Sequence, residues 1–251
     1  MAHSSLSWVL LLLLSNNVRI VQSLSQPVKV RVCQNKYCKK RYANLKQCVS
    51  QLLPEAKVES SGCLSQCNDG PNIEVESGGH ATILNGIQDV TTAAILLEQN
   101  TEMSVPKILL AASKILEQVP SLDSAEGLRY LNSVISKLEA SEYKASPAMA
   151  RALVVRADLH LQSGEPGKAL EDAQRVLELK QVATSETLAL AYRILADTEE
   201  NKVRVIAVLQ QWQKDLPEFR TKLQHEIQRI VDSMDHDGDD GSKGRNSFMP
   251  V

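Results

Sequence analysis

The spacing of apolar residues changes along the chain, from every second position in the first part to every third or fourth position later. Residues 28–32 alternate apolar and polar side chains, which is typical of a half-buried β-strand. The same alternation on both sides of Ser77-Gly-Gly79 predicts a β-hairpin. The whole pattern predicts a small α/β unit of order β-α-β-β-β-α, with elements at 28–32, 40–53, 56–59, 73–76, 80–84 and 87–99.

From Val105 onward the strand signals disappear and helical spacing dominates. Apolar residues predict one helix around 108–116, a second around 128–138 and a last, capping helix at 216–231. A repeat lies between these helices: three small or apolar residues recur 34 positions later, with Ala157, Leu161 and Ala173 followed by Ala191, Leu195 and Ala207. The chain therefore predicts a second, all-α domain over 105–234, followed by a disordered acidic tail at 235–251.

The composition excludes several classes of function. The 251 residues carry 28 Lys and Arg against 30 Asp and Glu, and a net charge of −2 does not support a generic nucleic-acid binder. No Ser/His/Asp triad, Cys/His pair, phosphate-binding loop or dinucleotide fingerprint is present, so we expect a non-catalytic protein more than an enzyme. An aromatic content of 4% also argues against a β-sandwich or β-barrel core.

Residues 8–14 form a short, very apolar run near the N-terminus. A membrane span needs about 20 apolar residues, so this run is better suited to a secretory signal within a targeting segment at 1–25. Small residues at Ser23 and Ser25 are candidate cleavage positions. No later segment is apolar enough to span a bilayer, so we expect no membrane span in the mature chain.

All five cysteines lie between positions 33 and 67. Cys33 and Cys38 form a C-x4-C pair, Cys63 and Cys67 form a C-x3-C pair, and each pair follows a predicted strand. Four thiolates on two loops can hold zinc or a [2Fe–2S] cluster, and the loose spacings favour the cluster. Two disulfides remain an alternative. Cys48 shares a predicted helix face with Leu45, Val49 and Leu52, which indicates a small core residue.

The pattern Val32-Cys33-x4-Cys38, then Gly62-Cys63-Leu64-x2-Cys67-x2-Gly70-Pro71, resembles the thioredoxin-like [2Fe–2S] ferredoxins over residues 28–100. The same domain occurs in the small cluster-carrying subunit of respiratory complex I. The resemblance implies that Cys33 and Cys38 bind one iron and that Cys63 and Cys67 bind the other. Tyr42 and Ser65 depart from it, because each stands where a glycine is common.

The stretch Ala150–Lys180 resembles a tetratricopeptide repeat, with Gly164 at its turn. The resemblance implies a helical solenoid that binds a protein or a peptide. An alternative is that this solenoid only packs against the chain's own N-terminal domain.

Four basic residues crowd the first cysteine pair: Lys36, Lys39, Lys40 and Arg41. Cations near the start of a helix oppose its dipole, so a neighbouring anion such as a thiolate-bound cluster would explain them. They could raise a redox potential or dock an acidic redox partner. The alternative interpretation is a solvated surface.

These observations predict a [2Fe–2S] one-electron carrier with a helical docking domain. Two alternatives stay open: an adaptor whose cysteine domain is structural (with zinc, disulfides or no cluster), and an accessory cluster subunit of a larger oxidoreductase. A signal segment implies an oxidising lumen, whereas a thiolate cluster needs reduced cysteines. A plastid reached through the secretory route reconciles the two, and without a cluster we expect a lumenal or secreted protein.

Overall fold

A computed structural model describes residues 28–65 and 68–236 of the chain. The predicted signal segment at 1–25 and residues 237–251 of the predicted tail lie outside this part. The described residues form two compact units. One comprises 28–46 and 55–104 and contains a β-sheet, and the other comprises 47–54 and 105–236 and is helical.

The first unit contains a four-stranded mixed sheet of order β2-β1-β3-β4. Its strands are β1 (Lys29–Cys33), β2 (Lys57–Ser61), β3 (Ile73–Ser77) and β4 (His80–Leu84). Strand β1 pairs in parallel with β2 and antiparallel with β3, which pairs antiparallel with β4. The four predicted strands and the hairpin are confirmed, and Gly78 and Gly79 both adopt the positive φ that this tight turn requires.

The helix predicted at 40–53 is wrong as a single element. The chain forms α1 (Lys36–Arg41) and α2 (Leu45–Leu52) instead. Asn35 starts α1, because its side chain accepts a hydrogen bond from the Tyr37 N–H at 3.1 Å. Tyr42 ends α1 with φ −148° and ψ 86°, so the apolar spacing that continues through position 42 does not continue the helix.

The third helix of the chain, α3 (Val90–Asn100), begins three residues later than the predicted start at 87. Asp89 is its N-cap and accepts a hydrogen bond from the Thr92 N–H at 2.7 Å. This capping interaction sets the helix start, while Ile87 is fully buried ahead of the helix.

Besides most of α2, the second unit contains seven α-helices within residues 105–236. They are α4 (Lys107–Gln118), α5 (Ser124–Glu139), α6 (Pro147–Gln162), α7 (Pro166–Glu178), α8 (Ser185–Thr198), α9 (Lys202–Asp215) and α10 (Arg220–His236). Each packs on the next, and α6 also packs on α4 and on α8. This architecture confirms the prediction that the second part of the chain is mostly helical. The capping helix runs to His236 rather than ending at 231, so it includes the first two residues of the predicted tail.

Small residues allow the helices of this unit to approach closely. Six alanines on α6 and α7 are fully buried: Ala148, Ala150, Ala152, Ala157, Ala169 and Ala173. Gly164 has a φ of +75° in the turn between the two helices, as its place at the predicted turn requires. Gly127 of α5 is equally constrained, since a Cβ there would lie 2.8 Å from the Leu159 side chain of α6.

The predicted 34-residue equivalence of Ala173 with Ala207 is wrong, because Ala173 is buried and Ala207 is exposed. Helices α7 and α9 begin 36 residues apart, and this offset relates their buried residues. Ala169, Ala173 and Val176 correspond in this register to Val205, Leu209 and Trp212. A two-residue error rotates a helical position by about 200°, which explains why Ala207 faces solvent.

None of the helices in the described part of the chain is both long enough and apolar enough to cross a bilayer.

A buried ion pair joins three helices of the second unit. Arg156 of α6 donates from Nε and Nη2 to the two carboxylate oxygens of Asp172 on α7, each at 2.7 Å. Its Nη1 donates to Asn132 of α5 at 2.8 Å. The side chains of Arg156 and Asp172 are 17% and 5% exposed, so water does little to screen the pair.

We expect Asp172→Ala to lower the free energy of unfolding by about 3 kcal/mol, because it leaves a buried guanidinium without its carboxylate. Urea denaturation followed by far-UV circular dichroism measures this loss. Glu171→Ala is the matched control, since Glu171 is exposed one position away. Equal midpoints for the two variants would show that the ion pair contributes nothing to the helical stack.

Candidate functional site

The two cysteine-bearing loops leave the sheet at the same edge. Strand β1 ends at Cys33, which lies opposite Ser61, the last residue of β2. Because β1 and β2 are parallel neighbours, the segments that follow them start side by side. The Gln34 N–H donates to the Ser61 carbonyl at 3.0 Å, and Cys63 follows two residues later. The structure therefore brings the first ligand of each predicted pair to one edge.

Cys38 lies on α1 with only 1% of its surface exposed, and its sulfur is in close contact with the segment before β3. A Cβ on Gly70 would lie 2.7 Å from Cys38 Sγ, so only glycine leaves room for the sulfur here. The peptide between Gly70 and Pro71 is cis. The Cys33 N–H donates to the Asn72 carbonyl at 3.1 Å, which ties the same segment to the end of β1.

Cys63 is exposed, in contrast to Cys33 and Cys38, which are buried. Its sulfur accepts a hydrogen bond from the Ser65 N–H at 3.4 Å. Amide donors of this kind stabilise negative charge on a thiolate, and they tune metal-bound sulfur in the same way. Ser65 has a φ of +65°, in the left-handed region that glycine adopts most easily. This backbone conformation explains why a glycine would suit the position.

The fourth predicted ligand, Cys67, lies outside the described residues. Within the described part of the chain, no three His, Cys, Asp or Glu side chains are close enough together to hold a metal ion. Three cysteines nevertheless lie around this edge of the sheet: Cys33 ends β1, Cys38 lies on α1 and Cys63 follows β2. Sulfur donors fit zinc or an iron–sulfur cluster. Cys48 is 5% exposed on α2, which confirms its prediction as a core residue.

The four basic residues near the first cysteine pair have different roles in the structure. Lys36, Lys39 and Lys40 are exposed, and Lys36 Nζ lies 5.1 Å from the ring centroid of Tyr37. Arg41 instead donates from Nη1 to the Asn68 carbonyl at 3.0 Å and to the Gly70 carbonyl at 2.7 Å. Arg41 therefore positions the segment against which Cys38 packs. The sequence predicted the same role for all four cations and did not indicate the hydrogen bond from Arg41 to Gly70, which joins residues 29 positions apart.

A second candidate site, which sequence reasoning missed, is a crevice of about 600 Å³ between α8, α9 and α10. Its apolar lining comprises Ala196, Leu209, Trp212, Phe219 and Leu223. Trp212 stacks on Tyr192 of α8 at a centroid distance of 6.0 Å, and its ring centroid lies 5.8 Å from that of Phe219. Burial of Tyr192, together with the hydrogen bond that its hydroxyl donates to Asp215, raises the pKa of Tyr192. The hydroxyl is therefore protonated at neutral pH, and its hydrogen bond to Asp215 links α8 to α9.

Comparisons of the chain with protein-family models, with curated proteins and with solved structures found no match.

We expect Gly70→Ala to displace the Cys38 sulfur, because the added methyl group would lie well inside van der Waals contact. In metal-free, reduced protein this displacement should accelerate alkylation of Cys38, measured by peptide mass spectrometry. Gly62→Ala is the matched control, since a Cβ at Gly62 meets nothing within 4 Å. Equal alkylation rates in the two variants would contradict the close packing of Gly70 against Cys38.

We expect Ser65→Gly to stabilise the sheet-containing unit by up to about 1 kcal/mol, because glycine relieves the positive φ at this position. Hydrogen exchange of the β1 amides gives the free energy of opening of this unit. Ser60→Gly, placed in the extended strand β2, should instead destabilise it by about 0.5–1 kcal/mol. Destabilisation by both variants to the same extent would contradict strain at Ser65.

Proposed function

We propose that the chain is a one-electron transfer protein that binds a [2Fe–2S] cluster through Cys33, Cys38, Cys63 and Cys67. In this proposal residues 28–100 form a thioredoxin-like ferredoxin domain, and residues 105–234 form a tetratricopeptide-like docking domain. The observation that carries the proposal is the parallel pairing of β1 with β2, which starts both cysteine-bearing loops at one edge of the sheet.

The local chemistry around the cysteines supports this assignment. Each loop supplies one pair of thiolates, and one pair for each iron matches the needs of a two-iron cluster. The Ser65 N–H already donates to the Cys63 sulfur, and Gly70 leaves space beside the Cys38 sulfur. An oxidised cluster with four thiolates carries a formal charge of about −2, so amide donors and nearby cations are favourable there.

The bound cluster would supply a single redox couple that takes up or releases one electron. The chain has two tasks in this process: it holds the thiolates and it brings a partner close. Among the three proposed ligands within the described residues, Cys63 is the exposed one, so electrons are best exchanged on its side. Lys36, Lys39 and Lys40 are exposed and add positive charge on α1, which attracts an acidic redox partner over long distances.

The helical unit would raise the local concentration of that partner. Stacked helix pairs expose a continuous surface while burying their small residues, and such surfaces suit extended protein or peptide ligands. A partner held there would present its redox centre to the ferredoxin-like domain at an effective concentration in the millimolar range. Entry to the secretory route with delivery to a plastid is the location that fits both a signal segment and reduced thiolates.

We expect anaerobically prepared protein to be brown, with about two irons and two acid-labile sulfides per chain, and to bleach when dithionite is added. Cys63→Ser should abolish this spectrum, because it removes one thiolate ligand. Cys48→Ala is the matched control and should keep the spectrum, since Cys48 is buried on α2 and belongs to neither pair. Absorption spectroscopy with iron and sulfide assays gives the result.

A colourless protein after anaerobic reconstitution would overturn the proposal. One zinc per chain, or a set of disulfides, would then favour the adaptor, whose cysteine domain is structural. A cluster-bearing protein that co-purifies with a flavin or nicotinamide enzyme would instead identify an accessory subunit of a larger oxidoreductase.

A further inference from the structure

Strand β4 is an edge strand of the four-stranded sheet, and its outer side is open. Its one neighbour in the sheet is β3. Residues 80–83 of the strand are all exposed, and they include Ile83, one of the exposed large apolar side chains of the described residues. An edge strand leaves a row of N–H and C=O groups without a ladder partner, and such a row is a template for another strand.

The turn before β4 shows which of its backbone groups point outward. Ser77 lies opposite His80 across the two-residue turn, so these residues form a hydrogen-bonded pair. In an antiparallel ladder such pairs alternate with pairs that do not bond to each other, so Thr82 bonds to β3. Ala81 and Ile83 therefore point their N–H and C=O groups away from β3. No turn, loop or cap hydrogen bond between backbone groups in the described part of the chain uses these four groups.

The outward groups of β4 are complementary to those of a second β4. When two copies run antiparallel about a two-fold axis at Thr82, Ala81 of each copy lies opposite Ile83 of the other, and their backbones form four hydrogen bonds. The small alanine side chain leaves room for the larger isoleucine. Thr82 lies opposite its own copy in a pair without backbone bonds, where two threonine side chains are close enough to bond to each other.

Charge does not oppose this pairing. Strand β4 reads His-Ala-Thr-Ile-Leu and contains no Asp, Glu, Lys, Arg or Pro. Glu74 and Glu76 of the neighbouring β3 both accept hydrogen bonds from Arg31 of β1, at 2.6 and 3.3 Å. Part of their negative charge is therefore neutralised within each copy, and the axis itself brings no like charges together.

The edge strand on the other side of the sheet, β2, is charged. Glu59 of β2 forms ion pairs with Lys57 of the same strand at 2.7 Å and with Lys29 of β1 at 3.1 Å. Charged side chains on an edge strand, and lysine especially, discourage pairing with another chain. Strand β4 has no such protection, and its antiparallel register fits a second copy of itself. This contrast favours β4 as the surface through which two copies associate.

We propose that two copies of the chain associate by antiparallel pairing of their β4 strands about a two-fold axis at Thr82, forming one continuous eight-stranded sheet. The order β2-β1-β3-β4 places β1 and β2, which lead into the cysteine-bearing loops, toward the two ends of the joined sheet. A contact between two five-residue strands is small, which is typical of a weak, concentration-dependent dimer. The inference does not depend on the metal content of the cysteine domain.

Sedimentation equilibrium of the full chain tests the proposal. The weight-average mass should rise from 27.7 kDa toward twice that value as the protein concentration increases. Thr82→Lys should raise the dissociation constant at least about tenfold, because it places two lysines directly opposite each other at the axis. Ser60→Lys is the matched control, since Ser60 is exposed on the other edge strand, and it should leave the dissociation constant unchanged.

A mixture of oppositely charged variants tests the register. Thr82→Glu should also weaken self-association, whereas an equimolar mixture of the Thr82→Lys and Thr82→Glu chains should form dimers again, because opposite charges then meet at the axis. Far-UV circular dichroism checks that each variant keeps its fold, as expected for an exposed residue. A mixture that stays monomeric overturns the proposal, as does a Thr82→Lys chain that dimerises as tightly as the Ser60→Lys control.

Hydrogen exchange measured by NMR on the unsubstituted chain gives a readout that needs no variant. The amides of Ala81 and Ile83 should exchange more slowly as the protein concentration rises, whereas the Thr82 amide, which bonds to β3, should be protected at every concentration. Protection of Ala81 and Ile83 that does not depend on concentration overturns the proposal, because the occupant is then a segment of the same chain. Unprotected exchange of both amides at every concentration also overturns it.

Discussion

The parallel pairing of β1 with β2 is the constraint on which the candidate metal site depends. It places Cys33 opposite Ser61, so the loops that carry both cysteine pairs begin next to each other. The antiparallel pairing of β1 with β3 then brings the segment before β3 to the same edge, where Gly70 lies against the Cys38 sulfur. A one-residue shift of either register would separate these groups and turn the buried side chains of β1 toward solvent.

Backbone hydrogen bonds and a single arginine hold this edge together. The Cys33 N–H bonds to the Asn72 carbonyl, and Arg41 bonds to the carbonyls of Asn68 and Gly70. These contacts position the polypeptide around the thiols without using the thiols themselves. Hydrogen bonds of the sheet, its loops and Arg41 therefore hold this edge in place independently of the cysteine side chains.

The helical unit follows a different physical rule. Buried alanines let α6 and α7 approach closely, and the Arg156–Asp172 ion pair links them while Asn132 extends the link to α5. At the end of the stack Trp212 and Phe219 line the crevice together with Ala196.

Local sequence determined the strands, most of the helices and the core position of Cys48, because alternation, helical spacing and capping residues act over a few positions. Tertiary structure decided the break at Tyr42, the 36-residue offset between α7 and α9, and the role of Arg41. Each depends on groups far apart in the chain: Arg41 bonds to carbonyls 27 and 29 residues away. The crevice depends on how α8, α9 and α10 pack together, and no pattern of apolar residues along one helix specifies the space between three of them.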